Sequence, residues 1–135
     1  DIIVLYSGTV AEVGDVERVV KAPQHPYTQL LVGSIPYPNP DHSWAEEPDP
    51  SPLGALATHG VGCNFAPRCH HAFEPCLKAE PPLYRIHPHQ AGTCYLYQDQ
   101  PVLPWAEMDT VFRKEQAPAA EGQRQAEKEI TATLK

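Results

Sequence analysis

A chain of 135 residues has room for one small core, which argues against a large enzyme with its own deep catalytic cleft. Its 16 prolines and 8 glycines, beside 20% charged residues, predict irregular chain around short ordered elements. A formal net charge of −7 disfavours attraction to a polyanion, and across residues 61–100 Arg68, Lys78 and Arg85 are balanced by Glu74, Glu80 and Asp99, so no nucleic-acid partner is expected.

The opening DIIVLYS is β-branched and apolar, and with the following TVAEV it predicts a hairpin turning at Ser7 and Gly8. Gly14 ends the second strand, and Asp15 is placed to cap a helix over VERVV by accepting from its first-turn amides. Lys21 lies at the end where positive charge favours a helix terminus, and Pro23 limits continuation. A second helix starts around His25, Pro26 and Tyr27, because proline is tolerated where the amide lacks an intrahelical acceptor. Tyr27, Leu30 and Leu31 share one face of it, which predicts local packing, until Pro36 and Pro38 stop it. Residues 36–60 read as an acidic, proline-rich surface connector carrying Asp41, Glu46, Glu47 and Asp49, with Trp44 as a candidate anchor.

Cys63, Cys69, Cys76 and Cys94 follow, spaced C-x5-C-x6-C-x17-C. Four thiolates complete either a four-iron, four-sulfur cluster or a tetrahedral zinc site once the final loop closes. The pattern lacks the close CxxC pair of zinc knuckles and the repeated short spacing of simple ferredoxins. Two disulfides stapling a small domain are an equal alternative on the residues alone. His70, His71, His87 and His89 flank these cysteines but are not needed as ligands where four thiolates fill the shell. Arg68 is a candidate to lie just outside the ligands and offset thiolate charge.

After Cys94, YLY predicts a short closing strand, with Val102 and Leu103 as flanking contacts. Trp105, Met108 and Phe112 fall near helical spacing and predict a helix docked on the domain or on a neighbouring chain. Residues 117–135, rich in Ala, Gln and charge, read as helical or disordered. The expected fold class is a small mixed α+β fragment: an N-terminal β-hairpin and short helices, then an irregular cysteine-rich module, then a helical or disordered tail. No apolar run is long enough to span a membrane and no secretory signal opens the sequence, so a soluble chain is expected. The start at Asp1, without an initiator methionine, predicts a piece of a longer protein.

VLYSGTVAEVG, followed by VVKAPQHPYTQLLVGSIP, is similar to the end of the ATP-binding domain and the C-terminal extension of oligopeptide and dipeptide ABC importers. GCNFAPRCHHAFEPC and the later AGTCY resemble the cysteine-rich module of those subunits, so the resemblance covers residues 1–98. It implies residues 1–35 as the edge of an ATP-binding domain, 36–60 as connector, 61–104 as the cysteine-rich module and 105–135 as tail. It implies Cys63, Cys69, Cys76 and Cys94 as ligands and raises a 4Fe–4S cluster above zinc, although His70 stands where related members commonly have proline.

The implied parent couples ATP hydrolysis to import of peptides or related solutes. Its partners would be the upstream ATPase domain, a second ATP-binding subunit and membrane permease subunits. It would lie peripherally on the cytoplasmic face of the membrane, with ATP and Mg bound only in the full-length parent. This chain has no G-x-x-x-x-G-K-[ST] phosphate loop, ABC signature or Walker B region, and His25 does not inherit the family's catalytic histidine role. No catalytic or ATP-binding residue is therefore assigned, and the chain by itself is not expected to be an enzyme.

Overall fold

The computed structural model describes residues 1–36 and 46–112. Trp44 and Asp41 of the connector, and the tail from residue 113 onward, lie outside the described residues.

Strand β1 (Ile2–Tyr6) turns at Ser7 and Gly8 into β2 (Thr9–Gly14), forming the expected hairpin. Both turn residues have positive φ, 47° and 81°, the backbone that matches the right-handed twist of the flanking strands. The Thr9 hydroxyl closes the turn by donating to the Tyr6 carbonyl at 2.9 Å. Helix α1 (Val16–Lys21) is capped as anticipated: Asp15 Oδ1 accepts from the Glu17 amide at 3.0 Å. Helix α2 (Pro26–Gly33) carries proline in its first turn.

Two further strands, β3 (Tyr84–His87) and β4 (Gln90–Gly92), have no counterpart in the elements expected from sequence. They are only four and three residues long, too short for strand alternation to register, and Pro88 stands between them. They complete an open antiparallel sheet in the order β1-β2-β4-β3, so the opening hairpin shares one sheet with residues 84–92. YLY after Cys94 is a 3-10 turn (Tyr95–Tyr97), not the expected strand. Its hydroxyl-bearing end explains the difference: Tyr97 donates back to Gln24, at 3.0 Å to the carbonyl and 2.9 Å to the side-chain oxygen, which draws the chain away from the sheet.

One face of the sheet buries Val13, Leu83, Ala91, Leu103 and Val111. Met108 and Phe112 pack against them from a 3-10 segment (Trp105–Val111), while Trp105 remains exposed; Arg85 holds that segment by donating to the Thr110 hydroxyl. The other side carries two linked clusters, Val4, Ala11 and Val19, and then Phe65, Ala66, Cys69, Ala72 and Cys76; Tyr6 and Tyr27 touch both. The rings of Tyr6, Tyr27 and Phe65 meet with centroids 4.6–5.5 Å apart, a spacing at which tilted aromatic pairs attract.

Because the Leu83 cluster contains residues of β2, β4 and the segment after 101, Leu83→Ala destabilises all three together. The expected loss is about 2–3 kcal/mol, the lower part of the range for buried leucine, since half-buried Val10, Met108 and Phe112 can relax into the space. Urea unfolding gives the magnitude, and amide exchange should accelerate in β2 as well as β4; protection retained in β2 alone would show that the sheet does not unfold as one unit.

Candidate cysteine site

Three of the four cysteines are placed by tight local turns. Gly62, with φ at 75°, lets the chain pass so close to α3 (Glu74–Lys78) that a Cβ there would lie 2.2 Å from the Cys76 carbonyl oxygen. This approach permits the Cys63 amide to donate to that carbonyl at 2.8 Å, fixing Cys63 beside Cys76. Residues Ala66–Arg68 then form a 3-10 turn whose closing bond, Cys69 amide to Ala66 carbonyl at 3.1 Å, sets Cys69. Ser51 braces the outside of the loop: its amide donates to the Cys69 carbonyl and its hydroxyl to the Ala72 carbonyl at 2.7 Å. Cys94 arrives from the sheet, directly after Thr93, whose amide and hydroxyl donate to the carbonyls of Ala11 and Val10.

All four cysteines line one small cavity, walled also by Phe65, Phe73, Tyr95 and Leu96, with His25 and His71 in its lining. Cys69, Cys76 and Cys94 are buried and Cys63 is half-buried; all four are free thiols, so the disulfide alternative is not formed here. Burial raises the Cys63, Cys69 and Cys94 thiols above their usual pKa, to about 11 for Cys69 and about 12 for Cys94. At Cys94 the charge of Cys63, Cys69 and Cys76 adds to the rise.

Among the described residues, no three or more Cys, His, Asp or Glu side chains are close enough to hold a metal ion. The geometry shows four free thiols around one cavity. The donor chemistry fits an iron–sulfur group nonetheless: four soft sulfur donors, no competing disulfide and an apolar wall.

Other residues singled out in the sequence lie elsewhere. Arg68 faces away from the cavity: its guanidinium grips Glu47 with two bonds of 2.9 Å and sits 5.9 Å above the Phe65 ring. Its hydrogen bonds to Glu47 and Tyr6 hold it charged, with its pKa above the ordinary arginine value. Tyr27 and Leu30 pack on the cysteine cluster, whereas Leu31 is 43% exposed. His70 lies against His71 with ring centroids 3.9 Å apart. His87 is exposed, and His89 pairs through Nδ1 with the Val111 carbonyl at 3.1 Å.

Two residues that the sequence left unassigned shape the site. His25 caps α2 with its ring, Nδ1 accepting from the Tyr27 amide at 3.0 Å, a task usually given to Ser, Thr, Asp or Asn and therefore easy to overlook. Glu12, fully buried on β2, accepts from the amides of Gln24 and His25 and from the Gln90 side chain. The placement of polar Glu12 between apolar strand neighbours was its signal in the sequence.

Residues 11–76 match the family model described as oligopeptide/dipeptide transporter, C-terminal region. The chain matches the C-terminal region of the ATP-binding subunits of peptide ABC transporters. A putative peptide import ATP-binding protein of Brucella ovis is 34% identical over 103 residues, which are 73% of this chain and 30% of that relative. A dipeptide transport ATP-binding protein of Caldanaerobacter subterraneus subsp. tengcongensis is 35% identical over 96 residues, 71% of this chain and 29% of its own length. The chain thus spans about 30% of the length of the curated relatives it matches. The residues matched by the family model include Cys63, Cys69 and Cys76 and stop short of Cys94, which only the fold brings to the same cavity. The sequence carries no ATPase motif, and among the described residues no helix is long and apolar enough to cross a membrane.

Proposed function

We propose that this chain is a structural module of the ATP-binding subunit of a peptide-type importer, with a 4Fe–4S cluster held by Cys63, Cys69, Cys76 and Cys94. The observation that carries the cluster is the cavity: four free thiols, three from the loop and helix of residues 63–76 and one from the end of the sheet, around a single apolar space. A zinc ion needs its four sulfurs about 2.3 Å from one point. A cluster instead presents a separate iron to each thiolate, so thiols spread around a cavity suit it better. When bound, the group crosslinks loop, helix and sheet; the chain supplies the thiolates, a wall that excludes water and the hydrogen bonds that hold Cys63 against Cys76.

In the parent subunit, ATP and Mg would act outside this region. The module would ride on the ATPase domain, beside a second ATP-binding subunit and the permease subunits, peripheral to the cytoplasmic face of the membrane. The family match supports this setting.

Anaerobic treatment of the reduced chain with iron and sulfide should yield about four irons and four acid-labile sulfides per chain. Serine at any one of the four cysteines should lower that content and shorten the protease resistance of residues 60–97. A folded, reduced chain that takes up neither iron nor sulfide overturns the cluster, and one zinc per chain in four-sulfur coordination replaces it with a zinc site.

A further inference from the structure

The loop that carries Cys69 has little support of its own. It is built on the short 3-10 turn Ala66–Arg68, and the bonds at Cys69 within the loop are 3.1 Å from its amide to the Ala66 carbonyl and 3.3 Å from the Ala72 amide to its own carbonyl. Such turns have poorer hydrogen-bond geometry than an α-helix and contribute little stability alone. The further support comes from residues 47–57, the half of the connector that the sequence marks as surface linker.

This segment meets the cysteine loop at four points. Glu47 accepts two bonds of 2.9 Å from the Arg68 guanidinium, but both side chains of that pair are more than two-fifths exposed, so it adds little. Ser51 does more. Its amide donates to the Cys69 carbonyl at 3.1 Å, and its hydroxyl donates to the Ala72 carbonyl at 2.7 Å while accepting from the Gly54 amide at 2.9 Å. Gly54 lies directly on the loop backbone: a Cβ there would stand 2.6 Å from the Ala66 carbonyl oxygen and 3.0 Å from that of Cys69. Ala57 then packs against the buried cluster that contains Cys69 and Cys76.

We propose that residues 47–57 are a clamp on the cysteine site, with Ser51 as the positioning residue of Cys69. By holding the main chain at residues 69 and 72, Ser51 keeps the Cys69 thiol in the wall of the cavity that Cys63, Cys76 and Cys94 also line. The role toward a bound group rests on the cluster proposed above, whereas the role toward Cys69 in the metal-free chain does not.

Ser51→Ala removes the hydroxyl and keeps the amide, and Ser51→Thr puts a hydroxyl back. Site-resolved alkylation of the reduced, metal-free full chain, read by mass spectrometry, follows each thiol through the local opening of its own segment. Cys69 should react about tenfold faster in Ser51→Ala, the scale of losing the bonds to Ala72 and Gly54 together, while Cys94, held from the sheet, stays within about twofold of its native rate. Ser51→Thr should bring Cys69 back to within about twofold of native. Gly54→Ala, whose methyl group forces the same segment off the loop, should expose Cys69 with the same selectivity. Unchanged Cys69 reactivity in Ser51→Ala or Gly54→Ala overturns the proposal, and so does a Ser51→Thr chain that behaves like Ser51→Ala. Equal acceleration of all four thiols overturns it too, by marking Ser51 as general scaffold.

After treatment with iron and sulfide, Ser51→Ala should also lose iron to a chelator several-fold faster and show an altered electron paramagnetic resonance signal of the reduced form, both restored in Ser51→Thr. Selective exposure of Cys69 in a chain that takes up no iron or sulfide sinks the cluster and leaves the positioning role standing. Native chelator resistance and spectrum in Ser51→Ala sink the role of Ser51 toward the bound group and leave the cluster.

Discussion

Glu12→Ala should lower the stability of the chain by about 4 kcal/mol, more than any single truncation in the apolar core. Glu12 is 0% exposed and sits where β2, β4 and the turn before α2 meet. Its two oxygens accept from the Gln24 amide at 3.1 Å, the His25 amide at 2.9 Å and the Gln90 Nε2 at 2.7 Å. Truncation leaves the His25 amide and one N–H of the Gln90 side chain without an acceptor in a buried setting, at about 2 kcal/mol each, while the partly exposed Gln24 amide can turn to water. Gln90 still donates to the Ala22 carbonyl at 3.0 Å, which keeps the loss from growing further. Glu12→Gln should cost less but remain destabilising, because its amide can present N–H toward the N–H groups that now meet oxygen. Urea unfolding of both variants measures the difference; a loss under about 1 kcal/mol for alanine would mean that water replaces the carboxylate and that the turn is not pinned there.

The metal-free chain should lose about 3 kcal/mol of stability as pH falls from 6.5 to 4, through His25. Burial lowers its folded-state pKa from 6.5 to about 4, partly offset by the bond to the Thr93 backbone. Between those values the unfolded chain binds a proton at His25 that the folded chain refuses, so stability is complete above pH 6.5 and drains away as pH falls toward 4. The groups around the ring do not reverse the sign. The thiols of Cys63, Cys69 and Cys94 stay neutral in this range, since burial raises their pKa values, and the Glu12 side chain meets the His25 main-chain amide rather than the ring. Glu80 and His71 also border the space beside His25. Stability profiles of the native chain and of His25→Asn should therefore converge as pH falls from 6.5 to 4.5; parallel profiles would show that His25 does not carry the titration.

The hairpin, both long helices and the cap at Asp15 were legible because each depends on neighbours a few residues away. Ser7 and Gly8 supply a turn, Asp15 a carboxylate two residues before the Glu17 amide, and Pro26 a preset first-turn φ. The candidate site was legible as a set of residue types: four cysteines in one order, beside a resemblance to a transporter family that the family match bears out. What held them in place was hidden. Arg68, a plausible neighbour of thiolates by sequence, is claimed by Glu47 twenty-one residues earlier. Leu31 has the right spacing for the packed face of α2, yet the cysteine loop covers Tyr27 and Leu30 and leaves Leu31 out.

The sequence by itself determined the local elements, the apolar residues available for burial and the four thiols, because helix periodicity, turn backbone and side-chain chemistry act over short stretches of chain. Only the tertiary structure decided that the hairpin and residues 84–92 share a sheet, that Cys94 joins the other three cysteines, and that Glu12 and His25 anchor the turn beside it. Those outcomes rest on bonds such as Gln90 to Glu12 and Tyr97 to Gln24, whose partners lie 78 and 73 residues apart. Such pairs leave no periodic trace, since their strength comes from burying polar groups that must find one another once the apolar clusters have closed around them.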